Sequence, residues 1–231
     1  MLREKRIVLD PRLSLIAELV GKCECYADIG CDHGRLGAFL LQNGCCKRAQ
    51  LTDISEPSLG KARRLISLLG FREQVDFCVG DGALALSGPA DVVVIAGMGG
   101  TTIGEIILRG REKLGNARLI LQPNVAVPEL RRTLSEAGYR ITDERVAPDG
   151  RRNYIIIAAE PGESLYDERQ QIVGPVLLEK MPETLLPFAE FRLNVAKKAL
   201  KGAISGEDNV QKTLLEKEID IWKDVLECLQ R

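Results

Sequence analysis

The chain has 231 residues, which suffices for one sizeable domain with an appendage and falls short of two full domains. Its 32 basic and 33 acidic residues leave a net charge of −1, so no general attraction to polyanions is expected, although local basic clusters remain. No stretch approaches the about 18 apolar residues of a membrane span, and residues 1–10 lack the apolar core of a signal peptide. We therefore expect a cytoplasmic protein without a membrane partner.

The first elements in chain order are a helix and a strand that ends in a glycine turn. Asp10 and Pro11 predict the start of a helix over 11–20. A strand over 24–29 then runs into the motif Ala-Asp-Ile-Gly-Cys-Asp-His-Gly at 27–34. Glycines at such a turn let a ligand approach the backbone, and the next helix offers free N–H groups to a carboxylate; a purely structural turn is the alternative. The candidate cofactor-binding residues here are Asp28, Gly30, Cys31, Asp32 and His33.

Three later strands also end in carboxylates or glycines. The strand over 48–53 ends in a carboxylate at the position from which nucleoside-binding α/β proteins hold ribose hydroxyls. The strand over 75–79 leads to an acidic turn that suits an adenine amine, and the strand over 91–96 is continuously apolar, which predicts burial on both faces. The further cofactor-binding candidates at these strand ends are Asp53, Ile54, Gly80, Asp81, Gly82, Ala96, Gly97, Met98 and Gly99.

The class of ligand follows from two motifs that are missing. The phosphate loop Gly-x-x-x-x-Gly-Lys-Ser/Thr does not occur in the sequence, and the first turn does not have the dinucleotide pattern Gly-x-Gly-x-x-Gly. Asp32 instead places a negative charge where a pyrophosphate would be repelled. A ligand with a cationic centre and no phosphate tolerates that charge, so the pattern predicts S-adenosylmethionine as the cofactor.

Strands and helices alternate to about residue 160, which predicts a parallel sheet with helices on both faces. Pro148-Asp149-Gly150 predicts a turn between the last two strands, one of which should run antiparallel at the sheet edge. The expected fold over 1–160 is the α/β, Rossmann-like class I methyltransferase fold with a seven-stranded, mostly parallel sheet. Strands are predicted at 24–29, 48–53, 75–79, 91–96, 117–122, 139–147 and 152–159, and helices at 34–43, 56–69, 100–113 and 127–137.

Residues 161–231 predict a small all-α domain. Apolar residues at intervals of three, four and seven indicate two long helices over 182–204 and 208–229, which would form an antiparallel, coiled-coil-like hairpin. Packing or capture of a partner is its expected role.

Seven cysteines and a single histidine restrict disulfide and metal chemistry. The cysteine count is odd, and the spacings are Cys-x-Cys and Cys-Cys rather than pairs of Cys-x-x-Cys. This pattern predicts free thiols and no metal. Cys31 lies inside the candidate cofactor turn, where we expect it to be sensitive to alkylation.

Three segments of the sequence resemble the TrmK family, bacterial tRNA methyltransferases that modify N1 of adenine 22. These are 27–34, Ile-Ala-Gly-Met-Gly-Gly at 95–100 and Leu-Ile-Leu-Gln-Pro-Asn at 119–124, and the similarity extends over essentially the whole chain. The resemblance implies tRNA as the partner and methyl transfer from S-adenosylmethionine to a ring nitrogen. Many members carry Asp-His-Ala-Tyr where this chain has Asp-His-Gly-Arg, so an aromatic ring proposed to stack on the base is absent at Arg35.

This chemistry assigns candidate roles to residues outside the cofactor set. Asp32 is the candidate acid that stabilises the cation formed by alkylation, with a role in holding the cofactor loop as the alternative. Gln122, Pro123 and Asn124 lie at the open edge of the sheet, where amides suit the adenine edge, and Gln122 and Asn124 join Asp32 as the candidate catalytic residues. Because N1 is on the pairing edge of adenine, the base must leave its stack before it can react. His33 and Tyr154 are the candidate rings that would stack on the extruded base. For His33, a structural role as a hydrogen-bonded histidine is the alternative. The candidate tRNA backbone contacts are Arg109, Arg111, Arg152, Lys197, Lys198 and Lys201.

Other functions remain compatible with these features. A class I methyltransferase of another RNA or of a small molecule would use the same cofactor residues without needing the basic clusters. A non-catalytic nucleotide-binding adaptor would use the hairpin to oligomerise. We expect the protein to be a monomer or a weak dimer.

Overall fold

The computed structural model describes residues 6–149, 152–206 and 208–230, with the side chains of Asp149 and Arg152 outside the described part. The chain divides into two compact units between Leu165 and Tyr166. The first unit has seven strands: β1 Cys23–Ile29, β2 Cys46–Asp53, β3 Val75–Val79, β4 Val92–Met98, β5 Arg118–Pro123, β6 Tyr139–Asp149 and β7 Arg152–Pro161. Its helices are α1 Pro11–Val20, α2 Arg35–Gln42, α3 Glu56–Leu68, α4 Gly100–Arg109, α5 Arg111–Leu114 and α6 Val127–Glu136, with short 3₁₀ turns at Arg72–Gln74 and Gly82–Ala85.

The seven strands form one sheet in the order β3-β2-β1-β4-β5-β7-β6. Strands β1 to β5 pair in parallel, and β7 pairs antiparallel with both β5 and β6. The prediction of a seven-stranded, mostly parallel sheet is confirmed. The expectation that the antiparallel strand forms the edge is wrong: β7 lies between two partners, and β6 is the outer strand. Both Pro148 and Asp149 already belong to β6, and Gly150 of the predicted turn lies outside the described residues.

Helices cover both faces of this sheet. Buried residues of α1, α2 and α3 share one apolar cluster with alternate strand residues such as Tyr26, Val94 and Ile120. The intervening strand residues, such as Val93 and Ile95, are also fully buried, and α4 and α6 pack against each other and against the sheet from the other side. The strands at the centre of the sheet are therefore buried on both faces, as their apolar sequence predicts.

The helix ends follow local chemistry, with one exception. Asp10 caps α1 by accepting from the Leu13 N–H at 2.7 Å. The predicted helix over 100–113 is interrupted at Gly110 and continues as the separate helix α5. A Cβ at Gly110 would clash with the side chain of Ala83, so glycine here permits a close approach between the end of α4 and the 3₁₀ turn Gly82–Ala85. This long-range contact leaves no pattern in the local sequence.

The second unit is entirely helical over its described residues. It contains α7 Glu168–Val173, α8 Pro175–Lys180, α9 Leu185–Ser205 and α10 Asn209–Leu229. Helices α9 and α10 form the predicted hairpin, and Asp208 caps α10 through the Gln211 N–H. At its core Trp222 is fully buried and meets Phe188 edge to face, with ring centroids 5.8 Å apart. Helices α7 and α8 are not in the sequence prediction, and the predicted boundary after residue 160 falls inside β7.

Candidate cofactor and substrate site

A cavity of about 570 Å³ opens at the carboxyl ends of β1, β2 and β4. Ligands of open α/β sheets bind at this edge. Every predicted cofactor-binding residue borders it except Gly99, which instead precedes the first residue of α4. Residues that the sequence prediction missed also line it: Arg12, Leu13, Arg35, Leu36, Thr52, Thr102 and Ile106. The lining holds four aspartates and only two arginines, so the cavity suits a cation.

The turn between β1 and α2 has a backbone that demands glycine. Gly30 and Gly34 have φ values of 76° and 66°, and a Cβ at Gly34 would lie 2.8 Å from the Cβ of Ala62. Asp32 also has a positive φ of 48°, which aspartate tolerates better than most residues. The turn is held to the end of β2, because the N–H groups of Gly30 and Cys31 donate to the Thr52 carbonyl at 2.9 and 3.0 Å.

Asp28 is the buried carboxylate of the cavity, with only 5% of its surface exposed. The pKa of Asp28 is raised to about 6, chiefly by burial; the Tyr26 hydroxyl and Arg12 act to lower it, and the nearby Asp53 carboxylate acts to raise it. That hydroxyl has no partner of hydrogen-bond geometry among the described residues. An approaching cation would favour the ionised form of Asp28 and bind beside it.

Asp53 and Asp81 are more accessible than Asp28. One carboxylate oxygen of Asp53 accepts from the Asp32 N–H at 3.1 Å and the other from the Ser55 N–H at 2.8 Å, so its orientation is fixed. Asp81 forms an ion pair with Arg109 at 2.5 Å. The guanidinium that was expected to contact tRNA is therefore engaged at the rim of the cofactor cavity.

Asp32 and His33 stand at the mouth of the cavity. The Asp32 side chain is 70% exposed, and one of its oxygens lies 3.5 Å from Nδ1 of His33. The other ring nitrogen, Nε2, lies 3.0 Å from Nζ of Lys61, which is a donor. This arrangement places the ring proton on Nδ1, facing Asp32. His33 is thus a hydrogen-bonded ring at an open rim, compatible with both interpretations of it.

The loop after β5 is bonded to the end of β4 and to the start of α4. The Asn124 N–H donates to the Met98 carbonyl at 2.8 Å, and its side-chain Nδ2 donates to the Gly97 carbonyl at 2.7 Å. The Gly100 N–H donates to the Val125 carbonyl at 2.8 Å, and a Cβ at Gly100 would clash with the backbone around Val125. The glycines of this motif therefore seat the loop that carries Asn124 against the cavity wall.

Gln122 does not lie where a base could contact it. Its side chain is fully buried, and its amide is bonded to Arg12 at one end and to Asn124 at the other. The prediction that Gln122 binds the adenine edge directly is therefore not supported. Pro123 is buried and Asn124 is exposed. Nothing in the local sequence identifies Arg12, since helix α1 is brought to this edge by packing against β5, β6 and β7.

The remaining tRNA-contact candidates have different surroundings. Arg111 donates to the carbonyls of Ala137 and Gly115 and lies over the Tyr139 ring, so it holds the end of α6 rather than facing solvent freely. Tyr154 is half-buried beneath the Arg12 guanidinium, and the Arg152 side chain lies outside the described part. Lys197, Lys198 and Lys201 are exposed on α9.

The cysteines are free thiols, as predicted. Cys31 is buried, and burial followed by the Asp28 charge raises the pKa of its thiol well above the ordinary value. Since the thiolate is the reactive form, the expectation that Cys31 is sensitive to alkylation is not supported. Over the described residues, no cluster of three or more potential ligands could hold a metal ion, and no helix is long and apolar enough to cross a membrane.

Residues 9–157 match a family model described as a methyltransferase domain. Over 180 residues, 74% of this chain and 76% of the relative, the sequence is 32% identical to the tRNA (adenine(22)-N(1))-methyltransferase of Bacillus subtilis. The chain belongs to this family, TrmK. A putative tRNA methyltransferase of Mycoplasma pneumoniae is 34% identical over 76% of this chain and 84% of its own length.

Solved structures of the TrmK family have the same fold. The crystal structure of B. subtilis TrmK has a TM-score of 0.85 and 26% identity, covering 95% of this chain and 99% of that one. A putative tRNA (m1A22) methyltransferase of Streptococcus pneumoniae has a TM-score of 0.86 and 28% identity, covering 95% and 100%. The S. pneumoniae protein has also been solved in complex with S-adenosyl-L-methionine.

Proposed function

We propose that this protein transfers the methyl group of S-adenosylmethionine to N1 of adenine 22 in tRNA. The observation that carries the proposal is the carboxylate-rich cavity at the ends of β1, β2 and β4, in a chain whose curated B. subtilis relative is named for this reaction. Membership in the TrmK family supports the choice of tRNA over a small molecule.

S-adenosylmethionine fits the chemistry of the cavity. The cavity has a volume of about 570 Å³, which is typical of a small-molecule site. Its excess of carboxylates suits the ammonium and sulfonium groups of the cofactor but would repel a phosphate. Asp28 and Gly30 would hold the amino-acid end, Asp53 the ribose hydroxyls, and Asp81 with the 76%-exposed Ile54 the adenine. When bound, the cofactor supplies an electrophilic methyl group.

The protein's own residues act mainly by orientation. The N1 lone pair of neutral adenine is already nucleophilic, so no strong base is needed, and the gain comes from holding the base in line with the methyl group. Asn124 is the exposed amide at the cavity edge and would bind the extruded base. Alkylation leaves a positive charge on the base, which the exposed carboxylate of Asp32 would stabilise.

The exposed lysines of α9 would contact the tRNA backbone by charge rather than by sequence. We infer that the protein acts in the cytoplasm as a monomer or weak dimer.

The test is a transfer assay with methyl-labelled S-adenosylmethionine and unmodified tRNA, followed by nucleoside digestion and mass spectrometry. We expect the label in 1-methyladenosine. Label only in small molecules from a metabolite pool would favour the small-molecule alternative, and cofactor binding without turnover on any RNA would favour the adaptor.

A further inference from the structure

Arg12 connects the cofactor cavity to the loop that carries Asn124. Its guanidinium lines the cavity, lies 5.6 Å from the centre of the Tyr154 ring, and donates through Nη1 to Oε1 of Gln122 at 2.6 Å. The helix cap at Asp10 and the packing of α1 on the sheet hold Arg12 in this place. Neither the sequence motifs nor the proposed chemistry assigns a role to Arg12.

The contact with Arg12 sets the direction of a chain of hydrogen bonds. A guanidinium can only donate, so the oxygen of the Gln122 amide faces Arg12 and its nitrogen faces Asn124. Gln122 Nε2 donates to Asn124 Oδ1 at 3.0 Å, and Asn124 Nδ2 donates to the Gly97 carbonyl at 2.7 Å. Because Gln122 is fully buried, water cannot take the place of its amide between Arg12 and Asn124.

The direction matters for what Asn124 offers to a base. With Nδ2 bonded to Gly97, the oxygen Oδ1 is fixed near Gln122 and keeps a second lone pair. An acceptor in this position pairs with the exocyclic amine of adenine and repels the carbonyl oxygen that guanine or hypoxanthine carries at the same place.

We propose that Arg12 is a positioning residue that orients Asn124, through Gln122, as the acceptor that selects adenine over a 6-oxopurine. This inference rests on the proposed function and deepens it, since it names the residues that determine base specificity. Arg12 touches neither the base nor the methyl group in this scheme, and its effect on the base passes through the two amides.

A double-mutant cycle tests this, with kcat, the dissociation constant for S-adenosylmethionine and the KM for tRNA measured for each variant. We expect Asn124→Ala and Arg12→Met each to lower kcat at saturating cofactor about tenfold or more, and Arg12→Met to cause almost no further loss in the Asn124→Ala background. The affinity for S-adenosylmethionine should change less than about twofold, and Arg12→Lys, which keeps a donor, should recover part of kcat.

A second variant leaves Arg12 in place. Gln122→Glu keeps the acceptor for Arg12 but cannot donate to Asn124, so it should lower kcat as Arg12→Met does. It should also reduce the preference for adenine over inosine at position 22, read as tRNA binding affinity because N1 of inosine carries a proton and has no free lone pair to accept the methyl group. Thermal unfolding of each variant separates these effects from loss of the fold.

The outcomes distinguish this inference from the proposed function. The positioning role is overturned if Arg12→Met weakens cofactor binding while kcat at saturating cofactor is unchanged. It is also overturned if the loss of kcat caused by Arg12→Met adds fully to the loss caused by Asn124→Ala. In both cases the proposed methyl transfer stands. If the wild-type protein methylates no tRNA, the proposed function fails and this inference with it.

Discussion

Asp28 is the residue whose ionisation most directly couples the cavity to a cationic ligand. Its pKa is raised to about 6, chiefly because it is buried, so the folded protein favours the protonated acid more than the unfolded chain does. The stability that Asp28 contributes is therefore complete below its ordinary pKa of 3.8 and is lost as the pH rises through about 6. A cationic ligand reverses this preference, since it binds the ionised form.

We predict that the affinity for S-adenosylmethionine falls about tenfold per pH unit below pH 6 and levels off above it. Titration calorimetry between pH 5 and 8 measures this. Asp28→Asn should bind more weakly at neutral pH and show a flatter pH profile. An unchanged profile in that variant would show that Asp28 does not face the cation.

Arg131 and Arg132 are adjacent in sequence but differ completely in environment. The Arg131 guanidinium is 1% exposed and bonds to the fully buried Glu144 at 2.8 Å, whereas Arg132 is mostly exposed. Charge alone suggests a basic surface cluster here, but the structure makes Arg131 part of the interior.

Arg131→Met should lower the free energy of unfolding by about 3–5 kcal/mol, because it removes a buried guanidinium that forms an ion pair with the buried Glu144 carboxylate. Arg132→Ala, the matched control, loses only an exposed contact and should change the value by less than about 0.5 kcal/mol. Urea denaturation measures both. Equal effects of the two substitutions would contradict the buried ion pair.

Two elements meet at the cavity wall: the start of α4 and the loop before α6. Gly100 allows this contact, since its N–H bonds to Val125 and any Cβ would clash with Ala126. Ala126 itself has a φ of 57°, an uncommon value for a residue other than glycine, so the loop is held in a defined shape.

We predict that Gly100→Ala displaces this loop and lowers the rate of methyl transfer by about tenfold or more while cofactor affinity is largely retained. Gly60 in α3 is the matched control, because a Cβ there meets nothing within 4 Å. Gly60→Ala should leave activity intact and raise stability by about 0.5–1 kcal/mol. Steady-state kinetics measures the rate of methyl transfer, and calorimetry measures cofactor affinity and stability. Full activity of Gly100→Ala would show that the position of this loop is not needed for methyl transfer.

The elements that carry the cofactor site are readable from sequence because each is an apolar strand that ends abruptly in an acid or glycine. Asp28, Asp53 and Asp81 come together at one edge because the carboxyl ends of parallel strands meet there. Arg12 and the burial of Gln122 depend on the packing of α1 against distant strands, which leaves no local pattern. The inner position of β7 in the sheet and the helix break at Gly110 likewise depend on contacts between distant segments and leave no local pattern.

At the scale of the whole molecule, the charge that would bind tRNA is local rather than general. The net charge is only −1, but Lys197, Lys198 and Lys201 are exposed on α9 and form no ion pair with any residue that the structure describes. Three lysines of α10 instead pair with acidic neighbours: Lys212 with Glu216, Lys217 with Glu168 and Lys223 with Asp220.

Replacing the three α9 lysines by alanine should weaken tRNA binding and reduce the slope of log affinity against log salt by about two to three, as expected for lost phosphate contacts. The same replacement of the three α10 lysines is the control and should change the slope much less. Fluorescence anisotropy of labelled tRNA at several salt concentrations measures the affinity and its salt slope for each variant. Equal slopes for wild type and the α9 variant would remove α9 from the tRNA-binding surface.

The proposed methyl group on N1 blocks base pairing, so a reverse transcriptase stops where it has been added. Primer extension on unmodified tRNA incubated with the protein and S-adenosylmethionine therefore tests the central claim most directly. We predict a new stop at adenine 22 that is absent without cofactor and absent when guanosine replaces that adenine. A stop elsewhere, or no stop despite methyl incorporation, would contradict the assignment.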